Sequence, residues 1–203
     1  MTQKRKIGIY GGTFNPPHIA HVRACEAFYH AIKPSQLLVI PDFLPPHKEV
    51  EGAVSTEDRL NMTRLAFEHF PNAAVSDMEI KRGGRSYTAV TLSELKREDN
   101  ELYFLCGTDM FLTLDSWYRP DLIFSLATIC YIRRERDSEN DRKLVELTEH
   151  YKKKYNAKII SIDVDVTELS SSELREKIKN SEDVTELLCE NVKRYIDERG
   201  LYR

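Results

Sequence analysis

Membrane spans, metal-binding cysteine sets and a strongly charged surface are all missing from this sequence, and each absence removes a class of function. No apolar run approaches the roughly 20 residues that a membrane-spanning helix needs. The four cysteines, Cys25, Cys106, Cys130 and Cys189, stand far apart, and without a C-x-x-C pair there is neither a zinc ribbon nor a dithiol redox motif. Reduced, mostly buried thiols are the expectation. The formal net charge is only −3, from 30 basic and 33 acidic residues, so the balance offers no broad attraction to nucleic acid or to an anionic membrane. Any affinity for phosphate has to be local. The basic start, MTQKRK, runs into a short strand-like segment and glycines instead of a signal peptide's apolar region, which predicts a cytoplasmic protein. Two nucleotide-binding fingerprints are also missing. From Gly8 the spacing is G-x-x-G-G and not G-x-G-x-x-G, and Thr13-Phe14-Asn15-Pro16 stands where a P-loop requires Lys followed by Ser or Thr.

What remains is enough for a core: 203 residues, 41% hydrophobic and 31% charged, with no internal repeat and no long linker. Short apolar runs, KIGIY, QLLVIP, ELYFLCG, ATICYI and AKIISIDV, alternate with amphipathic stretches. Runs that are apolar at consecutive positions fit strands covered on both faces, and intervening helices make the crossovers that parallel strands require. The pattern predicts an α/β fold, a Rossmann-like doubly wound parallel sheet, with helices over His18–Ala31, Thr56–Phe70, Tyr87–Glu98 and Asp141–Tyr155. A small C-terminal helical subdomain, about 165–203, closes a single domain spanning 1–203. Its first helix carries a capping box, Ser170 with Glu173, and its last ends at Gly200, a C-cap residue. The charge-dense stretch Arg133 to Lys143 reads as a solvated turn after a strand.

In open α/β sheets ligands bind beyond the carboxyl ends of the strands, so the residues that follow each strand are read together. After the first strand, Gly11 and Gly12 let backbone approach a ligand, Pro16 and Pro17 suit a helix start, and His18 and His21, three residues apart, share one face of the first turn. A helix N-terminus with two imidazoles favours phosphate. After the second strand, FLPPHKEV holds Lys48 in a stiff loop that can aim a cation. After ELYFLC come Gly107, Asp109 and DSWY with Trp117, the sole tryptophan; Asp109 is placed to cap a helix or to bind ribose hydroxyls. After the last strand, LSSSELR sets Ser171, Ser172 and Arg175 at a helix start. Taken singly, each has a plainer reading: a packed histidine, a surface loop, a core tryptophan, an N-cap. Together they describe a site for phosphates.

The pair GGTFNPPHIAH and LSSSELR resembles the signature of nucleotidyltransferases that carry an H-x-G-H-type motif early and an I-S-S-T-x-x-R-type motif late. The stretches LPPHK, RSYTAVTL, GTDMFLTLDSWY and YIDERGLYR are similar, more narrowly, to the bacterial nicotinate-nucleotide adenylyltransferases, and the resemblance runs from Lys6 to Arg203. Asn15 stands where that family commonly has Asp, Ala20 replaces its glycine, Arg134-Glu135-Arg136 replaces an R-P-G turn, and Thr113 stands where relatives offer an aromatic. The resemblance implies transfer of adenylate from ATP to nicotinate mononucleotide in NAD biosynthesis, with Mg²⁺ carried by ATP, small-molecule partners only, and a homo-oligomer as one arrangement. It implies His18, His21, Lys48 and Arg175 as catalytic residues, with Gly11, Gly12, Thr13, Phe14, Gly107, Asp109, Ser171 and Ser172 also at ATP. Thr13, Lys48, Tyr87, Thr88 and Trp117 fall to the mononucleotide. The alternatives are another adenylyl- or cytidylyltransferase of the same fold, accepting nicotinamide mononucleotide or phosphopantetheine, and a non-catalytic nucleotide-binding module.

Overall fold

The structure, a computed structural model, describes residues 4–45, 54–134, 138–164 and 169–203. Six strands, β1 (Arg5–Gly12), β2 (Gln36–Pro41), β3 (Ala73–Val75), β4 (Asn100–Cys106), β5 (Ala127–Arg134) and β6 (Ile159–Val164), form one parallel sheet in the order β3-β2-β1-β4-β5-β6. The register of the central pair sets Ile7 beside Leu102 and Ile9 beside Phe104, and β4 continues into β5 with Phe104 beside Ile129. Consecutive strands are parallel neighbours, except β3 and β4, which lie on either side of the β2-β1 pair, and parallel neighbours require crossover connections. Leu37, Val39, Ile40, Ile129 and Leu105 are all nearly inaccessible, as consecutive apolar runs require. Burying such a side chain contributes about 1.5–3 kcal/mol.

The helices are α1 (Ile19–Ile32), α2 (Thr56–Phe67), α3 (Met78–Arg82), α4 (Thr88–Leu95), α5 (Thr108–Thr113), α6 (Pro120–Leu126), α7 (Ser138–Tyr155), α8 (Ser171–Lys179) and α9 (Glu190–Arg199). All four expected helices shift at one or both ends. The helix expected from His18 begins at Ile19, that expected to reach Phe70 stops at Phe67, and that expected over Tyr87–Glu98 spans only Thr88–Leu95. The charged stretch from Arg133 is not a turn throughout: α7 begins at Ser138, and Arg133 clamps Asp141 of its first turns with two bonds of 3.0 Å. The capping box is present, with Ser170 Oγ accepting from the Glu173 amide at 3.1 Å and Glu173 accepting from the Ser170 amide at 2.9 Å. Gly200 closes α9 with φ of 61°, the left-handed conformation a C-cap glycine takes up without strain.

The described residues divide into two compact units, one drawn from 1–10, 24–37 and 87–166, the other from 11–23, 38–86 and 167–203. In the first, aromatic rings fill the space between α5, α6, α7 and β5: Phe111 stacks on Tyr131 at 4.2 Å, and Phe124 on Tyr155 at 4.7 Å. In the second, α2 packs on α9, where Asp58 accepts from Tyr195 at 2.8 Å and from Arg199 at 3.1 Å. Cys25, Cys106 and Cys130 are buried, and burial pushes the Cys130 thiol up to about 12, so these thiols stay protonated and inert. Among the described residues no helix is long and apolar enough to cross a membrane.

Candidate active site

The segment linking β1 to α1 is built in the second unit. Phe14 turns the chain with a φ of 47° and sends its ring inward, 5.3 Å from the His21 ring and 5.6 Å from that of Phe67. That ring explains Gly12, because a Cβ there would lie 2.9 Å from it. The glycine is thus required by a neighbouring side chain of the protein itself. Phe14 as a whole is 1% exposed, so its ring is a packing element of this segment. Asn15 and His18 are also buried, and Pro16 and Pro17 precede the helix instead of opening it.

His18 therefore lies before α1 and not on its first turn, yet the two imidazoles still meet, with ring centroids 3.7 Å apart. The His18 amide donates to His21 Nδ1 at 3.2 Å. An accepting Nδ1 carries no proton, so the neutral ring of His21 bears its N–H on Nε2. The backbone of one motif histidine thus selects the tautomer of the other.

Residues of the late motif reach this same segment. Ser171 Oγ donates to the Pro16 carbonyl at 3.0 Å, while Arg175 donates to the Asn15 carbonyl at 3.0 Å and to Ser172 Oγ at 3.1 Å. Two motifs 155 to 160 residues apart in sequence are brought together. The chain end joins them: Tyr202 donates to Asn15 Oδ1 at 2.7 Å. Burial pushes that phenol up, against the pull of the Arg175 and Arg59 cations, so it remains a donor at any physiological pH. Arg175, Ser172, Tyr202 and Arg203 also line an open groove of about 780 Å³.

Beneath Thr13 lies a buried cation. Arg59, 1% exposed, donates to the Thr13 carbonyl at 2.7 Å, to the Asp42 carbonyl at 2.7 Å and to Asp42 Oδ1 at 3.1 Å. Thr13 Oγ1 donates to the other oxygen of Asp42 at 2.8 Å. A charged residue of α2 thereby fixes both the Thr13 turn and the end of β2. Lys48 lies outside the described residues.

The remaining residues singled out in the sequence belong to the first unit. Gly107 is the N-cap of α5, and a Cβ built there would face open space. Asp109 is exposed in the first turn of α5, whose N-cap is Gly107, so of the two roles its position suggested, cap or ribose ligand, the structure removes the cap. Thr108 Oγ1 instead ties that turn to the Ile132 carbonyl at 2.6 Å. Trp117 is half-buried, not core, and its indole donates to Thr113 Oγ1 at 3.3 Å. Thr88 opens α4 behind the N-cap Tyr87, whose ring lies 4.5 Å from that of Tyr118.

This arrangement, an early H-x-x-H segment bonded to a late S-S-x-x-R helix on a parallel α/β sheet, is matched over residues 9–195 by the model of the cytidylyltransferase-like proteins. The chain belongs to the cytidylyltransferase-like family. Within that family it is 36% identical over 200 residues to a probable nicotinate-nucleotide adenylyltransferase of Lachnoclostridium phytofermentans, covering 98% of this chain and 99% of the relative. A protein of the same description from Geobacillus thermodenitrificans is 35% identical over 199 residues, 97% of this chain and 86% of the relative. Among solved structures, the Plasmodium falciparum nicotinic acid mononucleotide adenylyltransferase complexed with NaAD superposes with a TM-score of 0.71 at 20% identity, covering 98% and 97% of the two chains. The putative nicotinate-nucleotide adenylyltransferase of Vibrio parahaemolyticus gives 0.66 at 18% identity, covering 98% and 96%. These two likenesses establish the fold.

Sequence reasoning about this cytidylyltransferase-like chain misses Arg59, Asp42 and Tyr202. The available signal for Arg59 is a cation directly before the buried positions Leu60, Met62 and Thr63 of α2, a signal weakened by the second cation of that helix, Arg64. For Tyr202 there is no local signal, because its partner lies 187 residues away.

Proposed function

We propose that residues 1–203 act as one nucleotidyltransferase that joins ATP and nicotinate mononucleotide to give nicotinate adenine dinucleotide and pyrophosphate. The observation that carries this reading is the bonding of Ser171 and Arg175 to the main chain of Asn15 and Pro16, which gathers imidazole, guanidinium and hydroxyl groups in one unit. The near full-length relatives described as nicotinate-nucleotide adenylyltransferases support it.

The chemistry asks for little beyond positioning and charge. The nucleophile is a phosphate monoester whose second pKa of about 6 leaves it largely dianionic at neutral pH, so no general base is required. Its oxygen forms a bond to the α-phosphorus of ATP while the bond from that phosphorus to the bridging oxygen breaks, and pyrophosphate leaves with the electron pair. We assign His18 and His21 to the α-phosphate, where the Nε2–H of His21 is a ready donor to developing negative charge. Lys48 and Arg175 neutralise the triphosphate, and Ser171 and Ser172 serve the β- and γ-phosphates. Gly11, Gly12, Thr13 and Phe14 contribute main chain to ATP, and Gly107 and Asp109 serve its ribose. Trp117 stacks on the pyridine ring, Tyr87 and Thr88 receive its carboxylate, and Thr13 and Lys48 complete the mononucleotide's surroundings. Among the described residues there is no group of three or more His, Cys, Asp or Glu side chains suited to a metal. Mg²⁺ would arrive with ATP and, when bound, would supply positive charge against the departing pyrophosphate. A cytoplasmic enzyme acting on small molecules, without nucleic acid or membrane, fits this chemistry.

The test is to incubate the purified protein with ATP, Mg²⁺ and each of nicotinate mononucleotide, nicotinamide mononucleotide and phosphopantetheine, and to identify products by mass. The dinucleotide of the acid together with pyrophosphate is expected. ATP binding without turnover of any acceptor, or a different preferred acceptor, would overturn the reading.

Arg175 supplies a separate prediction. Its planar fork reaches the Asn15 carbonyl and Ser172 Oγ together, which a single ammonium cannot reproduce while also facing phosphate. Arg175→Lys should stay about tenfold or more below the unsubstituted enzyme in kcat/KM for ATP, the scale of one lost charge-assisted bond. Full activity in the lysine variant would show that charge alone suffices.

A further inference from the structure

We propose that Asp115 is a positioning residue for Trp117, and that through it helix α7 sets how firmly the pyridine ring of the substrate is held. The inference rests on the assignment of Trp117 to the mononucleotide.

Asp115 lies in a three-residue 3-10 turn, Leu114–Ser116, immediately before Trp117. One face of α7 converges on its carboxylate. Lys154 Nζ donates to both oxygens at 3.1 and 3.0 Å, the Tyr155 hydroxyl donates to Oδ1, and His150 Nε2 lies 3.2 Å from Oδ2. An ionised carboxylate only accepts, so that histidine nitrogen carries the proton. Burial works to raise the Asp115 carboxyl, but the bonds from Tyr155, Lys154 and His150 outweigh it and hold the group below the usual carboxylate range. Three donors on one carboxylate far exceed what the solubility of a surface turn demands.

The chain beyond Trp117 is fastened to the same helix. Phe124 of α6 stacks on Tyr155 at 4.7 Å and packs on Tyr151 at 4.8 Å. Trp117 therefore sits between two attachments to α7, and its own amide closes the turn onto the Leu114 carbonyl at 3.1 Å. The indole bond to Thr113 Oγ1 at 3.3 Å ties the ring back to α5, but the three-residue turn between them has no long hydrogen-bond ladder of its own to hold it. An aromatic ring that must be ordered only when substrate arrives binds more weakly, because the ordering entropy is then charged to binding.

Asp115→Asn keeps the shape and removes the charge that gathers the α7 donors. It should raise KM for nicotinate mononucleotide about tenfold while leaving kcat and KM for ATP within about twofold, the scale expected for one side chain that must be ordered on binding. Without any nucleotide, acrylamide should quench the fluorescence of Trp117, the sole tryptophan, more strongly than in the unsubstituted protein. In a Trp117→Ala background the Asp115→Asn change should add nothing to KM for the mononucleotide. Should Asp115→Asn fail to fold, Lys154→Met removes one donor pair and is held to the same three readouts. Unchanged quenching and KM, or an effect that persists in the Trp117→Ala background, overturns the inference while leaving the reaction intact. Failure of the unsubstituted enzyme to use the acid mononucleotide overturns the functional reading and the affinity half of the inference, and the quenching comparison, made without nucleotide, still decides the anchoring half.

Discussion

Replacing Arg59 by methionine is expected to cost about 3–5 kcal/mol of folding stability, the scale for truncating one partner of a buried ion pair. The reason is what stays behind. Asp42, 8% exposed, would keep a carboxylate held, among the described residues, by Thr13 Oγ1, and the carbonyls of Thr13 and Asp42 would each lose a charge-assisted donor. For a chain of this size each kcal/mol corresponds to about 2–4 °C, so the melting temperature should fall by roughly 6–20 °C. Adding Asp42→Asn should recover part of the loss, because it removes the orphaned charge. Thermal unfolding of the single and double variants checks this, and a loss under about 1 kcal/mol would mean that the pair had been hydrated all along.

Removing either motif histidine should leave a folded protein that turns over very slowly. His18→Ala or His21→Ala is expected to lower kcat by about 100-fold or more, the scale found when one stabiliser of developing charge is deleted. The structure adds a reason for the two to depend on each other: the His18 amide fixes the His21 tautomer, and the rings lie 3.7 Å apart. His18→Ala keeps that amide, so His21 retains its donor, and the double variant should be less than additive only to the extent that the rings support each other's orientation. Steady-state kinetics beside circular dichroism separates chemistry from folding. Near-normal kcat in both single variants would remove the pair from the mechanism.

How legible each feature is in the amino-acid sequence follows the range of the interactions that make it. The capping box at Ser170 and the C-cap at Gly200 are encoded within a few residues, and both are found. Four of the strands, β1, β2, β4 and β5, are runs of largely buried apolar residues and are equally plain, while β6, at the sheet edge, buries Ile162 and Val164 and exposes Ser161 and Asp163. Strand β3, three residues of Ala, Ala and Val, and helices α3, α5 and α6, of 5, 6 and 7 residues, are too short to complete a hydrophobic period. Among site residues, His18, His21, Ser171 and Arg175 are visible because two short motifs bracket them. Arg59, Tyr202 and Asp115 are not, because each derives its role from partners 17 to 187 residues away, and such pairing has no periodic trace in one sequence. The start of α1 differs by one residue from the pattern's expectation because prolines at 16 and 17 serve the preceding turn as readily as a helix.

The choice of the acid mononucleotide tests the central claim most directly. Thr88 and the first amides of α4 are donors at a helix N-terminus, a place that suits both oxygens of a carboxylate. A carboxamide offers one acceptor and turns its own N–H groups toward donors. Each such mismatch costs about 1–3 kcal/mol, so two should give discrimination of roughly 100-fold or more. The measurement is kcat/KM for nicotinate and for nicotinamide mononucleotide under the same ATP and Mg²⁺. A preference of that size for the acid is the predicted result, and equal efficiencies or a preference for the amide would contradict it.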